Sequence, residues 1–159
     1  MKLNSNRRAF IQKSAFVGCT LLISGKISAF PFPQDEIPDP KKINYCGYTC
    51  PKDCLFLEAS LKDDTELKKK AYETWKIKEH YNLDFDPKTT FCFGCKNEEK
   101  PAGVVTKNCT VRSCAIDKKL NACIECKELK TCDKDLWTRF PDFHKSVLKM
   151  QEKYFEAKA

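Results

Sequence analysis

The amino-acid sequence predicts a small α-rich, cysteine-rich, metal-stabilised domain with irregular loops and little or no β-sheet. Cysteine content is the first observation behind this prediction, since eleven cysteines occur in 159 residues, often with only two to five residues between neighbours. Apolar spacing is the second, since two segments repeat apolar residues at the intervals of an amphipathic helix. Chain length is the third, because this size allows one ordinary domain or a small domain with extensions.

Residues 1–29 indicate a twin-arginine signal peptide. The pair Arg7-Arg8 precedes a weak apolar stretch, Lys26 follows that stretch, and small residues at 27–29 offer a cleavage site. This order is typical of an export signal rather than of a membrane span. The weakness of the apolar stretch and the nearby lysine favour the twin-arginine route. We therefore expect a periplasmic protein that is exported already folded, with the twin-arginine translocase as its partner during export.

Cleavage of this signal changes the charge of the protein. Residues 1–29 hold five basic side chains and no acidic one, so the mature chain keeps only about +2 of the formal +7. The basic run at 68–70 is surrounded by acidic residues and is expected to be a solvated helix face. We therefore expect no nucleic-acid partner. Mean hydropathy is −0.55, and no apolar run reaches the roughly 18 residues of a membrane span, so we expect no membrane contact after cleavage.

Three further segments follow the signal peptide. Residues 30–44 contain four prolines and are predicted to form an extended tether, because proline removes backbone donors and disfavours helix before it. Residues 45–133 carry the ten remaining cysteines and form the predicted cysteine-rich domain. Residues 134–159 are predicted to form a C-terminal amphipathic helix that packs on that domain.

The first predicted helices lie between the first two cysteine clusters. Pro51 suits the first helical position, so we expect a short helix from there to about Leu61. Asp63 and Glu66 resemble a capping box for a second helix, which is expected to end near Asn82. The apolar face predicted for the second helix consists of Leu67, Ala71 and Trp75.

The remaining elements are expected to be short until the last helix. Residues 83–114 look rich in loops, and short helices are predicted at 111–120 and 123–129. Asp142, which follows Pro141, is predicted to cap the last helix. The buried stripe predicted for this helix consists of Phe143, Val147, Met150 and Tyr154.

The cysteines point most directly to chemistry. Two cysteines separated by two residues direct both sulfurs to one centre, and two such turns complete a four-thiolate zinc site. Cys92 and Cys95 form such a turn, in which Gly94 permits a positive φ and leaves backbone N–H groups free to bond thiolates. Cys50, just before a helix, and Cys54, in its first turn, would have thiolates favoured by the helix dipole. The predicted metal ligands are Cys46, Cys50, Cys54, Cys92, Cys95, Cys109, Cys114, Cys123, Cys126 and Cys132.

A disulfide framework is the alternative to metal, because an even number of cysteines in an exported protein also suits five bridges. Export in a folded state favours metal, since a thiolate site is loaded in the reducing cytoplasm whereas disulfides form after export. Zinc is favoured over an iron–sulfur cluster, because the three-residue gaps among the first three cysteines differ from the two-residue gaps typical of ferredoxins. Eight cysteines would fill two zinc sites and leave two over.

Four cysteine motifs together resemble a known family. They are Tyr-Cys-Gly-Tyr-Thr-Cys-Pro at 45–51, Phe-Cys-Phe-Gly-Cys at 91–95, the pair Cys109 and Cys114, and the Cys-Ile-Glu-Cys run that leads to Cys132. In this order they are similar to the domain of unknown function 3795 family. The resemblance covers about residues 45–133. It implies a cysteine-rich, metal-binding domain and no established activity.

These observations leave three functions open. The first is an exported zinc-binding accessory or interaction module with an unidentified protein partner. The second is a redox or electron-transfer protein that uses an iron–sulfur cluster or an exchanging cysteine pair. The third is a disulfide-stapled periplasmic binding protein. No catalytic residue is predicted, because His80 and His144 lie in charged helices and neither neighbours a cysteine in sequence.

Overall fold

The computed structural model describes residues 36–159, so the predicted signal peptide and the start of the predicted tether lie outside the described residues. Within this range the backbone forms seven α-helices, two 3₁₀ helices and no strand, which confirms the α-rich fold class with its irregular loops. The α-helices are α1 (Leu55–Lys62), α2 (Thr65–Thr74), α3 (Ile77–Tyr81), α4 (Val104–Lys107), α5 (Thr110–Asp117), α6 (Asp135–Arg139) and α7 (Pro141–Glu156). The 3₁₀ helices are Cys123–Glu125 and Leu129–Thr131.

Helix α1 begins later than the sequence suggested. The turn that follows Cys50 continues through residue 53, so the helix starts at Leu55 and not at Pro51. Cys54 therefore lies at the N-cap rather than in the first turn, and its carbonyl accepts the first helical hydrogen bond from the Glu58 N–H at 3.0 Å. Its sulfur still lies near the positive end of the helix dipole.

The predicted capping box is wrong by one residue. Asp63 ends α1 in a left-handed conformation with φ of 51°, which makes it unsuitable as the cap of the next helix. Asp64 takes that role, and its carboxylate accepts a hydrogen bond from the Leu67 N–H at 3.0 Å. This is the usual way in which an aspartate satisfies a free donor at a helix start.

The helix predicted to continue to Asn82 is interrupted. Lys76 adopts φ of 48°, a left-handed conformation that ends α2 and starts α3 in a new direction. Trp75 lies at this break with 36% of its surface exposed, so the prediction that it belongs to the core is wrong. Ala71 and Ile77 are the buried residues on either side of the break.

The basic run at 68–70 is also only partly as predicted. Lys69 and Lys70 are exposed, but Lys68 is buried. The Lys68 ammonium pairs with the Asp63 carboxylate and donates to the Pro87 carbonyl at 3.2 Å. Because a buried charge requires partners, this lysine ties α2 to the loop that follows α3.

The last helix buries the stripe that its spacing predicted, since Phe143, Val147, Met150 and Tyr154 are all buried. Pro141 occupies the first helical position and Phe140 the N-cap, so Asp142 lies in the first turn and is not the cap. Among residues 36–159, no helix combines the length and apolar character that a bilayer crossing needs.

Two hydrophobic clusters form the interior. The larger cluster combines the α7 stripe with residues of α5, α6, the 3₁₀ helices and the incoming chain, including Val111, Trp137, Ile124, Leu129 and Ile43. The smaller cluster combines α1, α2 and α3 and has Cys54, Phe56, Ala71 and Ile77 as its buried members. Cysteines belong to both clusters, with Cys123 buried in the larger one and Cys54 in the smaller one.

The short helices predicted at 111–120 and 123–129 are present but shorter than predicted. Helix α5 ends at Asp117, and only a 3₁₀ helix spans Cys123–Glu125. The Glu125 carboxylate fixes this turn by accepting hydrogen bonds from the Asn121 N–H at 2.6 Å and the Tyr154 hydroxyl at 3.1 Å. The turn thereby holds its two flanking cysteines against α7.

Candidate functional site

The ten cysteines of the described residues gather at two places. Six of them line a cavity of about 280 Å³ between the two hydrophobic clusters. This six-cysteine group consists of Cys46, Cys50, Cys54, Cys92, Cys95 and Cys109. The other four line a separate cavity of about 320 Å³ beside α5. This four-cysteine group consists of Cys114, Cys123, Cys126 and Cys132.

The division differs from what spacing suggested. The two turns with a two-residue gap, Cys92 with Cys95 and Cys123 with Cys126, line different cavities and do not complete one site together. Cys109 and Cys114 also separate, because Cys109 is the N-cap of α5 whereas Cys114 lies on its second turn.

The four-cysteine group receives hydrogen bonds from nitrogen donors. The buried indole of Trp137 donates its Nε1–H to the Cys132 sulfur at 3.2 Å. The Lys118 ammonium lies 3.8 Å from the Cys126 sulfur and also pairs with Glu128. Donors of this kind stabilise a thiolate and orient it, as outer partners of metal ligands do.

The six-cysteine group is assembled from three stretches of chain. Residues 46–54 supply three cysteines, the knuckle at 91–95 supplies two, and the N-cap of α5 supplies Cys109. Cys54 is likewise the N-cap of α1, so two of the six sulfurs lie at helix N-termini. A helix N-terminus places partial positive charge beside each of these two side chains.

The knuckle has the backbone conformation that Gly94 was predicted to permit. Gly94 adopts φ of 93°, and its N–H donates to the Cys92 sulfur at 3.4 Å. The Cys92 N–H donates to the Ser60 hydroxyl at 2.8 Å, which attaches the knuckle to α1. The Arg112 Nε–H donates to the Cys95 carbonyl at 2.9 Å. Helix α1 thus holds Cys92 in place, and helix α5 holds Cys95.

Aromatic residues wall the six-cysteine cavity. Tyr48 contacts Trp75 and Phe143 edge-on, with ring centroids 6.0 and 6.3 Å apart. Tyr81 of α3 and Phe140 at the start of α7 complete the lining. Such a wall lowers the dielectric next to the sulfurs, although Cys50 itself is exposed, and a low dielectric strengthens any interaction between a cation and a thiolate.

Burial governs the protonation of these sulfurs in the absence of a cation. Burial raises the pKa of Cys46 to about 12, with the neighbouring Cys109 and Cys50 adding to the rise. Burial also raises the pKa of Cys95 and of Cys123, and nearby thiolates contribute in both cases. These thiols are therefore protonated at neutral pH until a cation displaces the protons.

A backbone hydrogen bond connects the two groups. The Cys123 N–H donates to the Tyr45 carbonyl at 2.7 Å, so the chain next to Cys46 contacts the start of the 3₁₀ helix that carries Cys123. Burial is the main cause of the raised pKa of Cys123, and repulsion from the Cys46 thiolate contributes to it.

All ten of these cysteines are free thiols. In residues 36–159, no group of three or more His, Cys, Asp or Glu side chains already converges closely enough to hold a metal ion. A cation at either place would therefore require the thiol side chains to turn towards it. Each place nevertheless supplies sulfur donors in the number that a tetrahedral ion requires or more.

Several residues near the sulfurs carried no signal in the sequence. Asn44 donates its side-chain N–H to the Cys50 sulfur at 3.2 Å, and Trp137 and Lys118 serve the other group. His80 lines the six-cysteine cavity although it is remote from every cysteine in sequence, and its ring packs on Phe140 at 4.9 Å between centroids. Only contacts made by the folded chain reveal these roles.

Residues 42–136 match the family described as Protein of unknown function (DUF3795). The chain belongs to this family. The matched range covers more than half of the 159 residues and contains all ten cysteines of both groups, whereas α7 lies beyond it. No curated protein and no solved structure matches the chain. Membership of the DUF3795 family therefore supports the cysteine-rich domain and leaves its activity to be inferred from the site.

Proposed function

We propose that this protein is an exported zinc-binding domain, in which the two cysteine groups bind metal as thiolates and the domain acts as an accessory or interaction module. One observation carries the proposal. Ten cysteines from distant parts of the chain gather at two places, and none of these ten forms a disulfide. Zinc suits sulfur donors in tetrahedral sets of four.

In this fold, bound metal would stabilise the folded state. The helices within residues 36–159 are short, since only α2 and α7 among them reach ten residues, and the interior of this part is divided into two clusters. A structural zinc site contributes on the order of 10 kcal/mol to folding in small domains. Ions in the six-cysteine group would join the two clusters through bonds that apolar burial alone does not supply.

Export follows from the sequence of residues 1–29. Cysteines bind zinc in their reduced form, and the cytoplasm keeps cysteines reduced. A chain that is loaded there must cross the membrane in its folded form, which is the form that a twin-arginine signal serves. The metal and the signal peptide are therefore parts of one proposal, although separate experiments test them.

Elemental analysis combined with thiol counting on the purified protein tests the metal. We expect bound zinc, thiols that resist modification in the native protein, and ten reactive thiols per mature chain once a chelator is added. A well-ordered protein without metal and with all cysteines oxidised would contradict the proposal and support the disulfide alternative. A brown protein that bleaches on reduction would support the iron–sulfur alternative.

Export is tested by replacing Arg7 and Arg8 with lysine. We expect the substituted protein to remain in the cytoplasm and to keep its metal, because the cysteine groups lie in the described domain. Secretion at the normal level would contradict the twin-arginine route without affecting the metal assignment.

A further inference from the structure

The turn at 123–126 brings two thiols of the four-cysteine group onto one side of a 3₁₀ helix. Cys123 begins this helix, and the Cys126 N–H donates to the Cys123 carbonyl at 2.9 Å. In a 3₁₀ turn, residues three apart lie one above the other at about 6 Å. Disulfides join residues whose Cα atoms are roughly 4.4–6.8 Å apart, so the backbone here permits a bond between Cys123 and Cys126. A bond across only two residues is of the readily reduced, exchanging kind.

The two thiols of this turn have unequal surroundings. Cys123 is buried, with 8% of its surface exposed, whereas Cys126 is partly exposed. The Lys118 ammonium lies 3.8 Å from the Cys126 sulfur. The exposed side chains of Lys118 and Glu128 line the same cavity, so the cavity reaches the surface of the protein. A cation next to a partly exposed thiol is the setting of a reactive cysteine, whereas a buried thiol is inert towards partners in solution.

Neighbouring side chains fix the backbone of the turn and leave these two sulfurs available. Gln151 donates to the Cys126 carbonyl at 2.6 Å, and the Glu125 carboxylate holds the start of the turn. The Cys132 sulfur in the same cavity is already bonded by the Trp137 indole. Going beyond the proposed function, we propose that the four-cysteine group, when it holds no ion, exchanges thiols with small disulfides, with Cys126 as the attacking thiol and Cys123 as the resolving thiol.

The exchange has two steps and transfers two electrons. The Cys126 thiolate attacks one sulfur of the disulfide, a new S–S bond forms to Cys126, and the other half leaves as a thiolate that takes up a proton. Cys123 then gives its proton to water and attacks the Cys126 sulfur, which releases the second half as a thiol. The small disulfide is thereby reduced to two thiols, and the pair is oxidised to one intramolecular disulfide.

The charges around the cavity indicate the class of disulfide. Lys118 and Lys134 line it together with Glu128 and Asp133, so both signs of charge surround the sulfurs. Disulfides of amino acids or short peptides carry ammonium and carboxylate groups that match both signs. Glutathione disulfide belongs to this class and is therefore a suitable probe.

Limited chelation followed by glutathione disulfide tests the proposal on the full mature chain. The chelator would remove only part of the zinc, and circular dichroism would check that the helices remain. Peptide mass mapping would then follow the thiols over time. We expect Cys126 to react first and a Cys123–Cys126 disulfide to be the product, with added zinc suppressing the reaction.

Substitutions assign the two roles. Cys123→Ser should stop the reaction at the mixed disulfide, so that one glutathionyl group stays on Cys126. Lys118→Ala should slow the first step about tenfold, because the cation beside the attacking sulfur is lost. Lys149→Ala, at an exposed lysine of α7, is the matched control and should leave the rate unchanged. If Cys123→Ser does not fold, the disulfide formed in the unsubstituted chain decides the assignment.

Four outcomes would overturn the inference. They are equal reaction rates at all cysteines, a bridge from Cys126 to Cys114 or Cys132, an unchanged rate in Lys118→Ala, and loss of the helices on chelation, since the folded pair would then not exist without its ion. A chain that binds zinc but does not exchange after chelation would retain the proposed function alone. Exchange by a chain that binds no zinc would retain this inference alone.

Discussion

The two cysteine groups differ in how much chain they join. The four-cysteine group comes from residues 114–132, and consecutive turns bring its members together. The six-cysteine group comes from residues 46–109, a stretch more than three times as long, and joins α1 to α5. Closing a longer loop costs more entropy, so bonds that hold it closed stabilise the folded state more. With metal bound, the six-cysteine group would be the principal link between the two clusters, and the four-cysteine group would join only neighbouring turns.

The two groups also differ in the polarity of the side chains that line their cavities. Charged residues such as Lys118, Glu128 and Asp133 line the four-cysteine cavity, and a lysine approaches one of its sulfurs. Aromatic rings line the six-cysteine cavity instead. A less polar setting strengthens the attraction between a cation and thiolates, so the six-cysteine group should hold a bound ion more tightly than the four-cysteine group.

The largest expected effect is a loss of unfolding free energy when one cysteine is replaced, and it differs between the two groups. Cys95→Ser, in the long-range group, should remove more than half of the roughly 10 kcal/mol that a structural zinc site contributes. Cys132→Ser, in the local group, should cost about 1 kcal/mol less, because it opens a shorter loop. Denaturant unfolding of both zinc-loaded variants measures the difference. Equal losses, or a larger loss for Cys132→Ser, would contradict the assignment of the six-cysteine group as the principal link.

A smaller effect is expected from replacing either of two glycines, Gly94 in the knuckle and Gly103 at the start of α4. A Cβ on Gly103 would overlap the Phe91 carbonyl, so Gly103→Ala should cost about 3 kcal/mol by forcing the backbone apart. A Cβ on Gly94 would meet no atom within 4 Å, so Gly94→Ala should cost only the backbone strain of about 1–2 kcal/mol. Thermal unfolding ranks the two variants. The reverse order would show that the conformation of the knuckle matters more than its contact with the start of α4.

The smallest effect concerns the two tryptophans of the chain, one at each group. Trp137→Phe removes the N–H that bonds Cys132 and should weaken zinc binding at the four-cysteine group about tenfold. Trp75→Phe keeps the ring on the wall of the other cavity and serves as the matched control, with unchanged affinity at both groups. Competition with a chromophoric chelator measures both. An unchanged affinity in Trp137→Phe would show that the indole only fills space.

Periodicity predicted the elements that pack along one face. The stripe of Phe143, Val147, Met150 and Tyr154 repeats over a long helix, so its burial follows from the sequence. The break at Lys76 could not be predicted in this way, because its left-handed backbone occurs in a residue that rarely adopts it. The burial of Lys68 was missed because its partner carbonyl, on Pro87, comes from a distant loop.

Spacing predicted which residue type matters at the site but not which residues meet. It identified the knuckle and the conformation of Gly94, because both depend on neighbours in sequence. It did not separate Cys109 from Cys114, since that depends on how α5 lies between the two cavities, with its N-cap at one and its second turn at the other. The division into six and four is a property of tertiary packing alone.

The hold of α7 on the turn at Cys123 has a consequence for biosynthesis. Gln151 donates to the carbonyls of Ile124 and Cys126 at 3.2 and 2.6 Å, and Tyr154 donates to the Glu125 carboxylate. These contacts come from residues that lie 25 to 29 positions further along the chain than the groups they bind. The turn at Cys123 therefore stays unsupported until α7 has been synthesised, and a chain terminated before α7 would have this turn open to proteases.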